Sequence, residues 1–143
     1  MLNITYDDKT KALPAEELRR LFILAGWSDG SETAGQRENF NIGFLHSTLV
    51  VSAWEGSRLI GAVRVLSDEI FRSVIYDLIV DPDYQKKGIG RELIARCIRH
   101  YPNSEWLVQT TQEIAGFYEK IGFQVKNDAF LTIPCKLFSP SLM

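Results

Sequence analysis

Residues 76–91, Tyr-Asp-Leu-Ile-Val-Asp-Pro-Asp-Tyr-Gln-Lys-Lys-Gly-Ile-Gly-Arg, read as a strand, a stop, a glycine turn and a helix. Residues 73–80 are β-branched and aromatic enough for a strand, and Pro82 ends it, because proline lacks an amide donor and fixes its own φ. From Ile89 the apolar positions Ile89, Leu93, Cys97 and Tyr101 recur at helical spacing, with Ile94 and Ile98 beside them. Arg91, Glu92, Arg96 and Arg99 fall mostly on the other side. A helix therefore starts at the glycines. Gly88 and Gly90 have no β-carbon, so a ligand can approach the free amides of the first turn, towards which the positive end of the helix dipole points. Such a site suits a phosphate, and Gln85, Lys86, Lys87 and Arg91 surround it with donors and positive charge. Two nucleotide motifs are excluded: there is no G-x-x-x-x-G-K-[ST], and Gly88-Ile89-Gly90 lacks the third glycine of a dinucleotide fingerprint.

The run from Val80 through Gln85 to Gly88-Ile89-Gly90 resembles the acyl-CoA pyrophosphate motif of the GNAT N-acetyltransferase superfamily, [QR]-x-x-G-x-[GA] after a strand ending in Val-x-Pro. About thirty residues on, Phe117-Tyr118-Glu119-Lys120-Ile121-Gly122-Phe123 is similar to the family's second signature. The resemblance implies a mixed α/β fold: a twisted, mostly antiparallel sheet of about six to seven strands flanked by about four helices, in one domain over residues 1–143. It also implies acetyl-CoA as co-substrate, no metal, and a primary amine as acceptor. In that fold the strands on either side of the motif helix splay apart and the pantetheine arm adds to the exposed strand edge, much as a peptide adds to a sheet. By position, Leu78, Ile79 and Val80 supply those backbone contacts, Lys86, Lys87, Gly88, Ile89, Gly90 and Arg91 hold the pyrophosphate, and Gln85 closes the turn. A non-catalytic acyl-CoA-binding module is the alternative.

A chain of 143 residues has the size of one domain. A hydrophobic share of 45%, with no apolar run long enough to span a bilayer, reads as a soluble protein, and the first eight residues lack the basic and apolar regions of a signal peptide. The default location is cytoplasmic. A net charge of −2 argues against nucleic acid as partner and leaves small molecules or proteins, a homodimer among them. Cys97 and Cys135 have neither disulfide nor metal spacing, and His46 and His100 have no paired ligand nearby in sequence.

Taken in order, residues 2–6 alternate as a short strand, and a helix begins at Pro14 with Leu18, Leu21, Phe22 and Ala25 on one face and a stop at Gly26. A second helix is expected over about 36–46, with Phe40, Phe44 and Leu45 inward. An antiparallel meander follows over 48–80, turning at Glu55-Gly56-Ser57. After the motif helix, residues 106–109 read as a strand parallel to the earlier one. Thr110 and Glu113 have capping-box spacing for the next helix, which stops at Gly122 with Phe123 available for an apolar contact. Residues 123–125 and 130–137 are expected to finish the sheet as a hairpin, with Pro134 marking an edge or a bulge.

Acetyl transfer from a thioester to an amine needs a neutral amine and a proton for the departing thiolate. At pH 7 only about one alkylamine in a thousand is neutral, so a base, or a water relay to one, is useful. The resemblance places Tyr118 where a family tyrosine reaches the coenzyme sulfur; the bland reading is an aromatic on the apolar face of its helix. Alternation puts Asp77 on the face opposite Tyr76, Leu78 and Val80, as a base acting through water or as a partner of Arg64 or Arg72. Glu55 and His46 are outside candidates for the base. Thr111 stands where many members have an asparagine that contacts the coenzyme. The acceptor site is expected from residues 27–36, the second helix and residues 126–128, with Asp29, Glu32 and Glu38 able to attract a cation. Residues 21–27 look like a segment of small bacterial and plastid members.

Overall fold

The structure is a computed structural model and describes residues 3–137. It divides into two compact units, Met1–Gln109 and Thr110–Met143. In the first unit, strands β1 (Ile4–Asp7), β2 (Leu49–Glu55), β3 (Arg58–Ser67), β4 (Arg72–Val80) and β5 (Glu105–Val108) form one sheet in the order β1-β2-β3-β4-β5. All neighbours are antiparallel except β4 and β5, which are parallel across the helical crossover between them. The mixed α/β class is as expected, with five strands rather than six to seven among the described residues. Leu2, expected at the start of the first strand, lies outside them.

Helix α1 (Ala15–Leu24) carries Glu16 and Glu17 in its first turn and buries Leu18 and Leu21. These join Leu13, Phe44, Val50, Leu59, Ala62 and Ile79 in the core on one face of the sheet. The expected helix over 36–46 is instead two short ones, α2 (Ala34–Glu38) and α3 (Ile42–Leu45). Thr33 caps the first in a reciprocal pair with Gln36, and the Asn39 side chain donates back to the Gly35 carbonyl at the first helix's end. Phe44 is buried as expected, but Leu45 is exposed, because the break shifts the helical phase.

Helix α4 (Ile89–His100) buries Ile89, Leu93, Ile94 and Cys97, the stripe read from the sequence. It packs against the sheet at Gly61, where an added Cβ would lie 3.2 Å from Leu93 Cδ1 and 3.4 Å from both Ile89 Cγ2 and the Ile79 carbonyl oxygen. Gly61→Val therefore overpacks the interface, and its urea midpoint should fall by the equivalent of about 1–3 kcal/mol. An unchanged midpoint would show that the helix shifts freely.

In the second unit, helix α5 (Gln112–Glu119) ends before Gly122, whose φ is +119°. The Phe123 amide returns to the Tyr118 carbonyl at 3.1 Å, and the two rings meet edge to face at 5.5 Å, the apolar contact expected there. The expected Thr110–Glu113 capping box is absent: Thr111 is the N-cap, and its side chain caps no amide. The expected terminal hairpin is not formed either. Residues 123–137 contain no strand, and Phe130, Leu131 and Ile133 are exposed. Without paired strands to complete a face, their alternation has nothing to pack against. Among the described residues no helix is long and apolar enough to cross a membrane.

Candidate active site

Strand β4 changes character halfway along. Its pairing with β5 runs only from Arg72 opposite Glu105 to Ile75 opposite Val108, so from Tyr76 onward β4 has no β5 partner among the described residues. On the other side, Arg64 pairs with Tyr76 and Ala62 with Ile79, leaving Val63 alone opposite Asp77 and Leu78. That two-against-one count is a bulge, and Asp77 adopts φ +52°, which aspartate tolerates better than most residues. The bulge also reverses the faces. Ile75 and Ile79 are four apart, yet their partners Val65 and Ala62 are three apart, so the two isoleucines enter opposite sides of the sheet.

Asp77 is thereby re-aimed, and the expected placement opposite Tyr76 does not hold. Its Oδ2 accepts from Arg64 Nε at 2.6 Å, while the same guanidinium lies 5.3 Å from the Tyr76 ring centroid and 5.9 Å from that of Phe44. Of the two arginines open to Asp77 as partners, Arg64 is the one it meets. Arg72 pairs with Glu105 instead, at 3.5 Å. Glu55 accepts from the Tyr84 hydroxyl, and His46 is exposed.

Beyond Val80 the chain turns sharply. The buried Asp81 caps a 3₁₀ turn over Pro82–Tyr84 by accepting from the Asp83 amide at 2.9 Å. Gln85 Nε2 donates to the Val80 carbonyl at 3.1 Å, the turn-closing contact expected of it. Lys86 and Gly88 then both take positive φ, +63° and +82°, and Gly88 is the N-cap of α4. The first intrahelical bond is Glu92 N–H to the Gly88 carbonyl at 3.0 Å, so the amides of Ile89, Gly90 and Arg91 precede the ladder. A Cβ at Gly88 would meet nothing within 4 Å. None of the ion pairs among the described residues involves Lys86, Lys87 or Arg91. An open approach, left-handed backbone at Lys86 and Gly88, and uncompensated positive charge together fit an anionic ligand such as a pyrophosphate.

The chain belongs to the GNAT acetyltransferase family. The family described as Acetyltransferase (GNAT) domain matches residues 27–132. The GNAT domain is 27% identical over 129 residues to the uncharacterized N-acetyltransferase ycf52 of Porphyra purpurea, covering 85% of this chain and 71% of that one. With the histone acetyltransferase TAP1 of Glycine max it shares 32% over 117 residues, 76% of this chain but only 51% of the soybean protein. Its fold matches a GNAT-family acetyltransferase from Streptococcus pneumoniae with a TM-score of 0.75 at 24% identity, covering 92% and 98% of the two chains. The family is one of N-acetyltransferases, EC class 2.3.1, and membership implies acetyl-CoA as co-substrate and some acceptor.

Around the expected acceptor region, residues 28–32 are pinned in place. Arg19 donates to Glu32 Oε1 at 2.6 Å and to the Gly30 carbonyl at 2.9 Å, and the Ser28 hydroxyl donates to Glu32 Oε2. Burial alone would raise the Glu32 carboxyl, but the Ser28 and Arg19 contacts outweigh it and hold the group below the usual range. Glu32 is thus a paired structural carboxylate rather than a free attractor. Glu16, Glu32, Arg37 and Glu38 line an open cleft, with Glu16 itself paired to Arg37 at 3.2 Å.

In the second unit Tyr118 is buried, and burial pushes its phenol up to about 12. It remains protonated, hence a donor, at neutral pH. Cys97 is likewise pushed up to about 12 by burial, which leaves it inert. Sequence reading missed the Asp77 bulge and the side-chain contacts tying residues 81–84 to the β2–β3 turn, since no local pattern encodes either. The Thr33–Gln36 capping box was readable from its spacing.

Proposed function

We propose that this GNAT domain transfers an acetyl group from acetyl-CoA to a primary amine, of a small molecule or of a protein or peptide, by direct attack in a ternary complex. The observation that carries the reading is the left-handed, open Gly88 at the start of α4, beside three cations without an ion-pair partner among the described residues. On this reading the main chain of Leu78, Ile79 and Val80 receives the pantetheine arm, supported by the unpaired stretch of β4. Gln85, Lys86, Lys87, Gly88, Ile89, Gly90 and Arg91 bind the pyrophosphate, and Thr111 makes a coenzyme contact through its exposed hydroxyl. Both units belong to one domain over residues 1–143, a reading supported by the family match running through residues 27–132. The soybean relative's name, a histone acetyltransferase, supports an amine acceptor of the lysine type.

Tyr118 acts as hydrogen-bond donor to the leaving thiolate. A phenol near 12 is a weaker acid than a thiol near 8.5, so outright protonation is uphill by roughly 4–5 kcal/mol at ~1.4 kcal/mol per unit, and donation without full transfer is the favoured role. Asp77 receives the amine proton through water, with Arg64 holding its carboxylate. That same pairing favours a second reading, an acyl-CoA-binding module without turnover, because the carboxylate is already engaged. Calorimetry with acetyl-CoA followed by turnover on a panel of amines and peptides separates the two. We expect binding and turnover, with Asp77→Asn lowering kcat at least ~10-fold. Binding without turnover on any amine would select the module, and no binding would sink both.

A further inference from the structure

The loop that carries Lys86 and Gly88 is exposed, and the turn before it is held from two sides. Glu55 ends β2 and Arg58 begins β3, directly opposite each other across a two-residue turn with Gly56 at φ +59°. From this turn Glu55 Oε1 accepts from the Tyr84 hydroxyl, and Arg58 Nη2 donates to Asp81 Oδ2 at 3.1 Å. Asp81 is 1% exposed, and its amide donates to the Ile60 carbonyl at 2.8 Å, so the ion pair anchors the turn's first residue while Tyr84 anchors its last. The hairpin is fixed in its turn by α1: the Leu59 amide donates to Glu17 at 3.0 Å, and Arg20 donates to the Leu59 carbonyl at 2.8 Å.

Two charge-assisted contacts, three residues apart in the turn at Asp81 and Glu55-bound Tyr84, exceed what a turn already closed by Gln85 and the Asp81 cap requires. What they add is orientation of the segment that follows. An anion gains most from amides ordered before it arrives, because ordering them on binding opposes affinity. We propose that Glu55, Arg58 and Tyr84 are positioning residues for the coenzyme: they lock the turn at Asp81–Tyr84 so that the amides of residues 86–91 converge on a pyrophosphate. This rests on the reading of that loop as the pyrophosphate site.

The test uses Tyr84→Phe, which removes only the hydroxyl, and Arg58→Met, which keeps the stem, with Arg72→Met as a control that removes an exposed ion pair with Glu105. Should Arg58→Met leave Asp81 too poorly compensated to fold, Tyr84→Phe alone decides. Acetyl-CoA affinity is measured by calorimetry beside S-acetylpantetheine, which lacks the pyrophosphate, and amide exchange of residues 86–91 is followed without ligand. The expected result is a 3- to 10-fold weaker acetyl-CoA Kd in both variants, unchanged acetylpantetheine binding and faster exchange at 86–91, with the control like the parent. A Kd within twofold of the parent overturns the proposal, as does equal weakening of both ligands. If the parent itself fails to bind acetyl-CoA, the coenzyme reading falls and the positioning role with it; unchanged exchange at 86–91 would show that the contacts do not order the loop at all.

Discussion

Gly88→Glu should leave a folded protein that no longer binds acetyl-CoA. At φ +82° a glutamate costs roughly 1–2 kcal/mol in the left-handed region, a loss a domain of this size tolerates. The new side chain points into open space, since a Cβ there meets nothing within 4 Å, so the core is untouched. What changes is the cradle: a carboxylate would sit beside the amides of Ile89, Gly90 and Arg91 and satisfy the positive charge meant for the ligand. Affinity should fall at least ~100-fold, about 2.8 kcal/mol. Gly88→Asn separates the causes, because asparagine tolerates the left-handed conformation and brings no charge. It should bind measurably, more weakly than the parent. Wild-type affinity in Gly88→Glu, measured by calorimetry on a variant with native circular dichroism, would remove the phosphate assignment. Replacing Lys86 and Lys87 by alanine should weaken binding further at low salt than at high, since both side chains are exposed and their charges screened.

The second large effect concerns Tyr118. Tyr118→Phe keeps the ring, so its edge-to-face contacts with Phe117 and Phe123 survive and the fold should be unchanged. A hydroxyl that donates only to sulfur as it departs contributes in the transition state and not in the ground state. Its loss should therefore lower kcat and kcat/KM together, by ~10²-fold, while acetyl-CoA Kd stays within a factor of about two. The pH–rate profile adds a check. With the phenol at about 12, the parent should show no loss of rate from Tyr118 ionisation below pH 10, and the variant's profile should have the parent's shape at lower height. Equal kcat in parent and variant on an active acceptor would return Tyr118 to the role of core aromatic.

Acid stability offers a smaller, independent test of the frame that carries the loop. The Glu17 carboxyl is held below its usual range, first by Arg20 and also by the Leu59 amide, against the opposing effect of burial. A depressed carboxyl contributes stability that is fully present above its unfolded value near 4.5 and is lost as pH falls through the lower folded value. Glu17→Gln should accordingly destabilise by roughly 1 kcal/mol at pH 7, discounted for partial exposure, and the difference should shrink by pH 3. A gap independent of pH would mean that packing, not charge, accounts for it.

The sequence by itself determined the features that depend on neighbours along the chain. The stripe of Ile89, Leu93 and Cys97, the stop at Pro82, the glycine at the start of α4 and the return of Phe123 onto Tyr118 are all consequences of local spacing and backbone freedom. The tertiary structure decided what depends on a partner far away in sequence. Strict alternation along β4 failed at Asp77 because one extra residue must be absorbed opposite Val63, and that need arises from the register with β3, not from β4 itself. Likewise, whether Asp77 stands free or meets Arg64, thirteen residues earlier, depends on which strands pair. The contacts of Glu55 with Tyr84 and Arg58 with Asp81 join a hairpin to a turn more than twenty residues on, where no periodicity connects them. Residues 130–137 show the converse: their alternation is the sequence half of a strand, and alternation becomes a strand only where another backbone supplies the hydrogen bonds.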